Sequence, residues 1–429
     1  MKKFFLVLCT ILLITSAFSN VLDLVPSDSK ALFYVKNLTE TYESFKTVDS
    51  MKNFLLEPIN AEIFISSLIE MYLRTIQVNP DTFFQSLKTN MAIFMQEPYD
   101  NLYIFGVVFG PVKNTDMLYQ ALSRILLPIK EAGINFVPVF TEKKDGKYLT
   151  LVQDKLVYEN SKLGGHSFEK VFDNGIYYKL LSAQIENIGY AYIKDKYLIG
   201  EALGTINPEN VSSSYIKKAQ DYDFLGTLFA VSSFLPKDLS MFNEIINIVA
   251  NPDLVESILL NSKGFEVNAD FNMIISPRGE IGFDESSYFV VDSEIKLTDL
   301  SSIFTENNLN HRYINDNSII FELESPDELS GMGIGEKNTY YIWKQNSQVY
   351  LSSVNQIELN KTIDSSKKLS ENSLFKTLNS RINMGDIAVV FIDLSKFYEQ
   401  FVGIRGEFGF LFSMYDLGDG KTKSKFIMK

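Results

Sequence analysis

One cysteine, one tryptophan and two histidines are spread over 429 residues. Cys9 lies inside the first apolar run, so disulfides, thiolate nucleophiles and cysteine-ligated zinc are excluded from the rest of the chain by count. His166 and His311 stand far apart in loop-like surroundings. A histidine metal site or general base needs partners that neither has nearby in sequence. Long apolar runs are also missing: beyond the first twenty residues none approaches the ~18 residues of a membrane helix. Basic charge is short as well. With 40 Lys and Arg against 53 Asp and Glu, the formal net charge is -13, which argues against nucleic acid and anionic lipid headgroups as partners.

What is present begins with a leader. Met1-Lys2-Lys3 is a basic start, Phe4 to Thr15 is an apolar stretch, and Ala17-Phe18-Ser19 places small residues at the -3 and -1 positions of a cleavage site. This pattern predicts a signal peptide over residues 1–19, cut between Ser19 and Asn20; an uncleaved anchor is the alternative. Cys9 follows Leu8 and sits too early for a lipidated cysteine, so a lipoprotein is not expected. Loss of Lys2 and Lys3 with the leader takes the formal charge from -13 to -15. The expected location is periplasmic or extracellular, in a bacterial envelope. An exported chain without disulfides is held by its core alone, and 46% hydrophobic content over this length suffices for two or three units.

Strand-like and helix-like patterns alternate along the whole chain. Ala31 to Leu38 has the β-branched and aromatic content of a strand, and Leu38, Tyr42 and Phe45 fall at the spacing of a short helix capped by Thr39. Asp49 to Val78 reads as helical, with broad apolar faces at Phe54, Leu55, Ile63, Phe64, Leu68, Met71 and Tyr72. Asn79-Pro80-Asp81 caps a new helix. Thr115 to Ala132 reads as a helix ended by Gly133. The dipeptides Asp145-Gly146, Gly164-Gly165 and Asn174-Gly175 mark tight turns between short strands, and Lys194-Asp195-Lys196 turns a further hairpin. The fold class expected is α+β, with largely antiparallel sheets and helices packed on them.

One phrase recurs. Ile387 to Leu394, a strand running into a short helix through Phe401, has counterparts at Ala31–Leu38 and Thr227–Phe234. Together with the hairpins at Tyr190 and Tyr340 this reads as a duplicated strand-helix and hairpin unit. The expected division is residues 20–220, 221–383, and a truncated third copy with a closing hairpin over 384–429. Unrelated elements of similar texture are the alternative.

Motifs of chemistry are weak. Ser27-Asp28-Ser29-Lys30 and Ser365-Ser366-Lys367-Lys368 match the Ser-x-x-Lys pattern of penicillin-recognising enzymes. That chemistry needs the Ser at the start of a helix, whereas Lys30 runs directly into a strand and no Lys-Thr-Gly follows. Gly418-Asp419-Gly420-Lys421-Thr422 ends like a phosphate loop but has Tyr415 where the first glycine belongs, so a hairpin turn is expected. Gly331 to Gly335 has the wrong spacing for a dinucleotide fingerprint. Carboxylates are plentiful, and sequence alone does not pair them; Asp221 and Asp223 read as a strand-edge pair. The aromatic strands Tyr190–Tyr192 and Tyr340–Trp343 suit a sheet core better than a ligand cleft. No catalytic, cofactor-binding or metal-ligating residue emerges.

Val25-Pro26-Ser27-Asp28-Ser29 before the first strand, the helix Ser373-Leu374-Phe375-Lys376-Thr377-Leu378, and Gly385-Asp386 leading to Ile392-Asp393-Leu394 form a combination. It resembles a family of exported bacterial proteins, the domain of unknown function 3352 family. Members open with a Leu-Pro-Ala-Asp-Thr type motif, for which this chain has Val25 and Ser27 in place of the Leu and Ala. The resemblance implies an exported α+β protein and carries no activity or site residues. The function expected is a non-enzymatic binding or envelope-associated module with a protein or apolar-ligand partner. The alternatives are a periplasmic carrier of an apolar or lipid-like ligand and a hydrolase using carboxylates. Asp393, at the end of its strand, is expected to bond free backbone N–H groups rather than to react.

Overall fold

The computed structural model describes residues 21–56, 59–99, 102–131, 133–168, 172–181, 186–205, 223–224, 229–234, 264–275, 281–292, 295–306, 309–324, 337–365, 367–383 and 388–429. The predicted cleavage residues Ser19 and Asn20, the phrase at Thr227–Leu228, Asp221 and the glycines Gly331 to Gly335 lie outside them. The chain divides into two compact units, residues 1–204 and 205–429. Each combines antiparallel strands with packed helices, so the fold class is α+β.

In the first unit the strands are β1 (Ala31–Val35), β2 (Asn90–Tyr99), β3 (Leu102–Val112), β4 (Val137–Lys143), β5 (Gly146–Val152), β6 (Gly175–Leu181), β7 (Glu186–Lys194) and β8 (Tyr197–Thr205). All pair antiparallel in the order β4-β5-β3-β2-β1-β6-β7-β8. The short N-terminal strand β1 is central, flanked by β2 on one side and β6 on the other. β5 is buried continuously from Tyr148 to Val152, because both its faces are covered. The β7–β8 turn uses Asp195 and Lys196, both at positive φ (52° and 68°). This is the two-residue hairpin geometry that matches the right-handed twist of the flanking strands.

The helices of this unit are α1 (Leu38–Phe45), α2 (Asp49–Leu55), α3 (Ala61–Thr75), α4 (Pro80–Ser86), α5 (Thr115–Ile125), α6 (Leu127–Glu131) and α7 (Lys155–Asn160). Three differences from the sequence reading have local causes. The stretch 49–78 is two helices rather than one, because the chain leaves helical geometry at Leu56, just before Pro58, which lacks an N–H to continue the ladder. The cap of α1 is Asn37 rather than Thr39: at φ 50° its side chain accepts from the Glu40 N–H at 3.3 Å. The run 115–132 also breaks, at Leu126, between α5 and α6. The Asn79-Pro80 cap forms as expected, with Asn79 accepting from the Thr82 N–H at 3.0 Å.

One face of this sheet packs Leu32, Tyr34, Ala92, Phe94, Val108, Tyr148 and Tyr177 beneath the Val21–Val25 segment and Tyr158 of α7. The other face is covered at one end, where Phe109, Leu149 and Leu151 meet Leu118 of α5.

The second unit contains β9 (Phe229–Phe234), β10 (Gly264–Ile275), β11 (Ile281–Asp292), β12 (His311–Asn315), β13 (Ser318–Glu324), β14 (Lys337–Gln345), β15 (Gln348–Ser352), β16 (Ala388–Asp393), β17 (Gly409–Gly418) and β18 (Lys421–Met428). Their antiparallel order is β12-β13-β14-β15-β11-β10-β9-β16-β17-β18. Without the β12–β13 edge hairpin this is the strand order of the first unit, with β9 in the place of β1. The recurring phrase therefore marks two different positions. Its first two copies occupy the central strand of each unit, whereas the third, β16, takes the position held by β6.

Helices α8 (Ser301–Glu306), α9 (Gln356–Ser365) and α10 (Ser373–Ile382) pack on this sheet. Phe304 of α8 enters a core with Val291, Ile319, Phe321 and Ile342. Leu359 of α9 packs with Tyr288, Val290 and Trp343. Trp343 lies parallel to Tyr350, ring centres 5.2 Å apart. α10 buries Leu374, Phe375, Leu378 and Ile382 along one face, with Phe375 edge-on to Phe391 of β16 at 5.5 Å.

Candidate functional site

The residues with a claim to chemistry resolve into scaffold. In the Val25–Ser29 motif, the Ser27 N–H donates to the Lys162 carbonyl and the Gly164 N–H to the Val25 carbonyl, both at 2.8 Å. Ser29 Oγ donates back to the Pro26 carbonyl at 2.7 Å. Buried Gln96 donates from Nε2 to Asp28 Oδ1 at 3.0 Å and to Ser161 Oγ at 2.9 Å. The motif is thus a clasp that seats the N-terminal segment over the sheet, satisfying polar groups that would be costly to bury unpaired. Lys30 enters β1 at once, its N–H bonded to the Met95 carbonyl, so Ser27 has no lysine one helical turn along.

His166 belongs to the same clasp: its Nε2 lies 2.8 Å from the Pro26 carbonyl. Burial holds its pKa below the ordinary value, because the charged form is poorly solvated there. His311 opens β12 rather than lying in a loop. It stacks on Phe304 at 4.8 Å, with Nδ1 3.0 Å from the Leu309 carbonyl. The second Ser-x-x-Lys also fails its geometric requirement, since Ser365 ends α9 rather than opening a helix, and Lys367–Lys368 pair with Asp223–Phe224. Gly418 to Lys421 is a hairpin turn with Asp419 and Gly420 at positive φ. Tyr192 stacks against Phe172 at 4.0 Å, and Trp343 is buried; both aromatic strands serve cores.

Asp393 caps as its position suggests. Its Oδ1 accepts from the Ser395 N–H at 3.0 Å and its Oδ2 from Asn372 Nδ2 at 3.2 Å. Asn372 in turn caps α10, accepting from the Phe375 N–H at 2.9 Å. Ser233, the matching position in β9, is described by its backbone, which pairs with Ala388.

No group of three or more His, Cys, Asp or Glu among the described residues is arranged to hold a metal. The carboxylate with a shifted pKa among them is Glu407, and it moves down: Lys429 Nζ donates to it at 2.9 Å and stabilises its charged form. A general acid needs the opposite shift.

A different surface stands out, built from residues that belong to no sequence motif. The part of the first sheet left uncovered by α4 and α5 exposes Phe33 of β1, Ile93 of β2, Phe105 of β3 and Leu180 of β6, each between 39% and 49% accessible. Register makes them neighbours: Phe33 lies opposite Ile93 on one side and Tyr178 on the other, and Met95 lies opposite both Ala31 and Phe105. Together they line an open groove of about 330 Å³. Its one side-chain polar group is the Tyr178 hydroxyl, whose pKa burial pushes up. Such a volume is at the lower end of ligand pockets. A second, smaller hollow of about 140 Å³ between α4 and α5 is ringed by Asn79, Thr82, Ser86 and Gln120.

Fold and surface together define an α+β protein of two antiparallel units with an open apolar sheet face. Comparison with known proteins returns no match to a family model, a curated protein or a solved structure. No helix among the described residues is long and apolar enough to cross a membrane.

Proposed function

We propose that this is an exported binding module that takes an apolar ligand on the open face of its first unit. The observation that carries the reading is the groove over Phe33, Ile93, Phe105 and Leu180. Four large apolar side chains side by side on a sheet are a poor surface to leave in water, and contiguous patches of this kind mark binding sites. The carrier reading is the same proposal with a lipid-like occupant, and the groove's size and apolar lining favour it. Export rests on the basic start, apolar stretch and small residues of positions 1–19 and on the family resemblance. The hydrolase reading has no observation in its favour.

The test is displacement of a solvatochromic apolar dye, with long-chain fatty acids and alcohols as competitors. The wild-type protein should enhance and blue-shift the dye. Phe33→Glu and Ile93→Glu should each weaken binding at least tenfold while leaving the thermal transition within a few degrees, since both positions are already exposed. Equal dye binding by wild type and both variants, or none by the wild type, would reject the groove as the site.

A further inference from the structure

Helix α3 is built inside out. Its Glu62, Ser66 and Leu73 share the face turned to the protein: Leu73 is buried, and Glu62 Oε1 takes a 2.9 Å hydrogen bond from Lys46 Nζ, which also reaches Glu43. The opposite face carries Phe64, Ile65, Leu68, Met71 and Tyr72, exposed by 41% to 67%. Phe64, Leu68 and Met71 stand at i, i+4 and i+7, and Thr75 continues the row at i+11, the spacing of a seam made to pack against another helix. A surface helix ordinarily turns such a stripe inward.

We infer that this stripe is the contact of a homodimer, in which α3 packs antiparallel against α3 of a second copy. Three observations select that occupant. First, the five residues expose roughly 500 Å², near the top of the range for the largest patch on an ordinary monomer. The adjoining helices α2 and α4 add exposed Phe54 and Phe84, which extends the patch toward the ~800 Å² per partner of a stable interface. Second, the stripe is self-complementary. Leu68 is the midpoint of Ala61–Thr75, so a two-fold axis there lays Leu68 on Leu68 and Phe64 beside Tyr72. Third, charge disfavours a lipid surface. The exposed charges beside the stripe, Glu70 and Arg74, pair with each other in a chain of net charge -13, where an interfacial helix needs an excess of lysines and arginines. Two acidic copies repel at long range, so association should strengthen as salt screens them.

The experiment is light scattering with size-exclusion chromatography on the purified full protein at 1–100 µM, in 50 and 500 mM salt, on wild type, Leu68→Glu and Leu68→Cys. The wild type should run at twice the mass of one chain, more completely at high salt. Leu68→Glu should halve that mass with an unchanged thermal transition. Leu68→Cys should give a disulfide-linked dimer on mild oxidation, while Ile357→Cys, more exposed still on α9 of the second unit, should give none. The sole native cysteine, Cys9, lies in the predicted leader, so the cleaved wild type is a control without a thiol. A wild type that stays monomeric at 100 µM without cross-linking through position 68 overturns the proposal. So does a Leu68→Glu variant that melts lower without any change in mass, which would mean that another part of the same chain covers α3. Co-sedimentation of a monomer with phosphatidylglycerol vesicles, lost in Leu68→Glu, would overturn it in favour of a membrane.

Discussion

Replacing Asp393 with Ala separates scaffold from site at the strand end that recurs along the chain. Two hydrogen bonds disappear: the one from the Ser395 N–H, which fixes the turn after β16, and the one from Asn372, which orients the cap of α10. A lost cap of this kind costs about 0.5–2 kcal/mol. The cost to Asn372 is smaller, because its Oδ1 still accepts from the Phe375 N–H. About 1–2 kcal/mol in total is expected, with Asp393→Asn retaining an acceptor for Ser395 and losing about half as much. For a unit of some two hundred residues this is a fall of roughly 2–8 °C in melting temperature. The chain offers a built-in probe. Its one tryptophan, Trp343, is buried against Tyr350, so tryptophan emission in a urea titration follows the second unit alone. A change below about 0.3 kcal/mol in that transition would refute the capping account. Loss of ligand binding with the transition intact would refute the assignment of Asp393 to scaffold.

Among the described residues, acidification should act through two groups. His166 has a folded-state pKa below its ordinary 6.5, so the native state binds fewer protons than the unfolded chain. Its contribution is present above about pH 6.5 and is lost as pH falls through the folded value. Glu407, also depressed, adds a second loss below pH 4.5. Melting between pH 8 and 2 should show both steps, and His166→Gln should remove the upper one. Gly106→Ala should destabilise the first unit by about 1–3 kcal/mol, because a Cβ there meets the buried Phe94 ring; circular-dichroism melting would register it, and an unchanged transition would contradict the packing. Mass spectrometry of the exported protein should find Asn20 as the first residue, and a retained Met1 would refute cleavage.

Much of the scaffold was legible in the sequence because it rests on short-range rules. Asn79-Pro80 caps a helix, Asp195-Lys196 and Asp419-Gly420 turn hairpins, and the apolar run of β16 is a strand, all from local chemistry. The exposed apolar face was not legible. Leu32 and Phe33 are adjacent and equally apolar, yet Leu32 is buried and Phe33 is exposed. Which face of β1 receives a helix is decided by α4 and α5, far along the chain, and alternation alone does not record it. The stripe of α3 was visible as apolar periodicity, and periodicity ordinarily means core; only the position of Glu62 against Lys46 shows that the helix is turned the other way. The strand order shared by the two units was hidden for a similar reason. By sequence β16 resembles β1, whereas pairing places β16 where β6 stands.

The central position of β1 has a consequence for how the protein is made. Val35 is paired with Ile176, and Ala31 with Leu180, so the first strand to be synthesised finds one of its two neighbours only about 150 residues later. Contacts of such long sequence separation make folding slow, and until β6 arrives one edge of β1 stands open to pairing with other chains. A chain threaded through a membrane N-terminus first would carry that open edge across before its partner follows. Under the proposed export, the first unit should depend on whatever holds unfolded chains on the far side, and its yield should fall steeply where that capacity is exceeded.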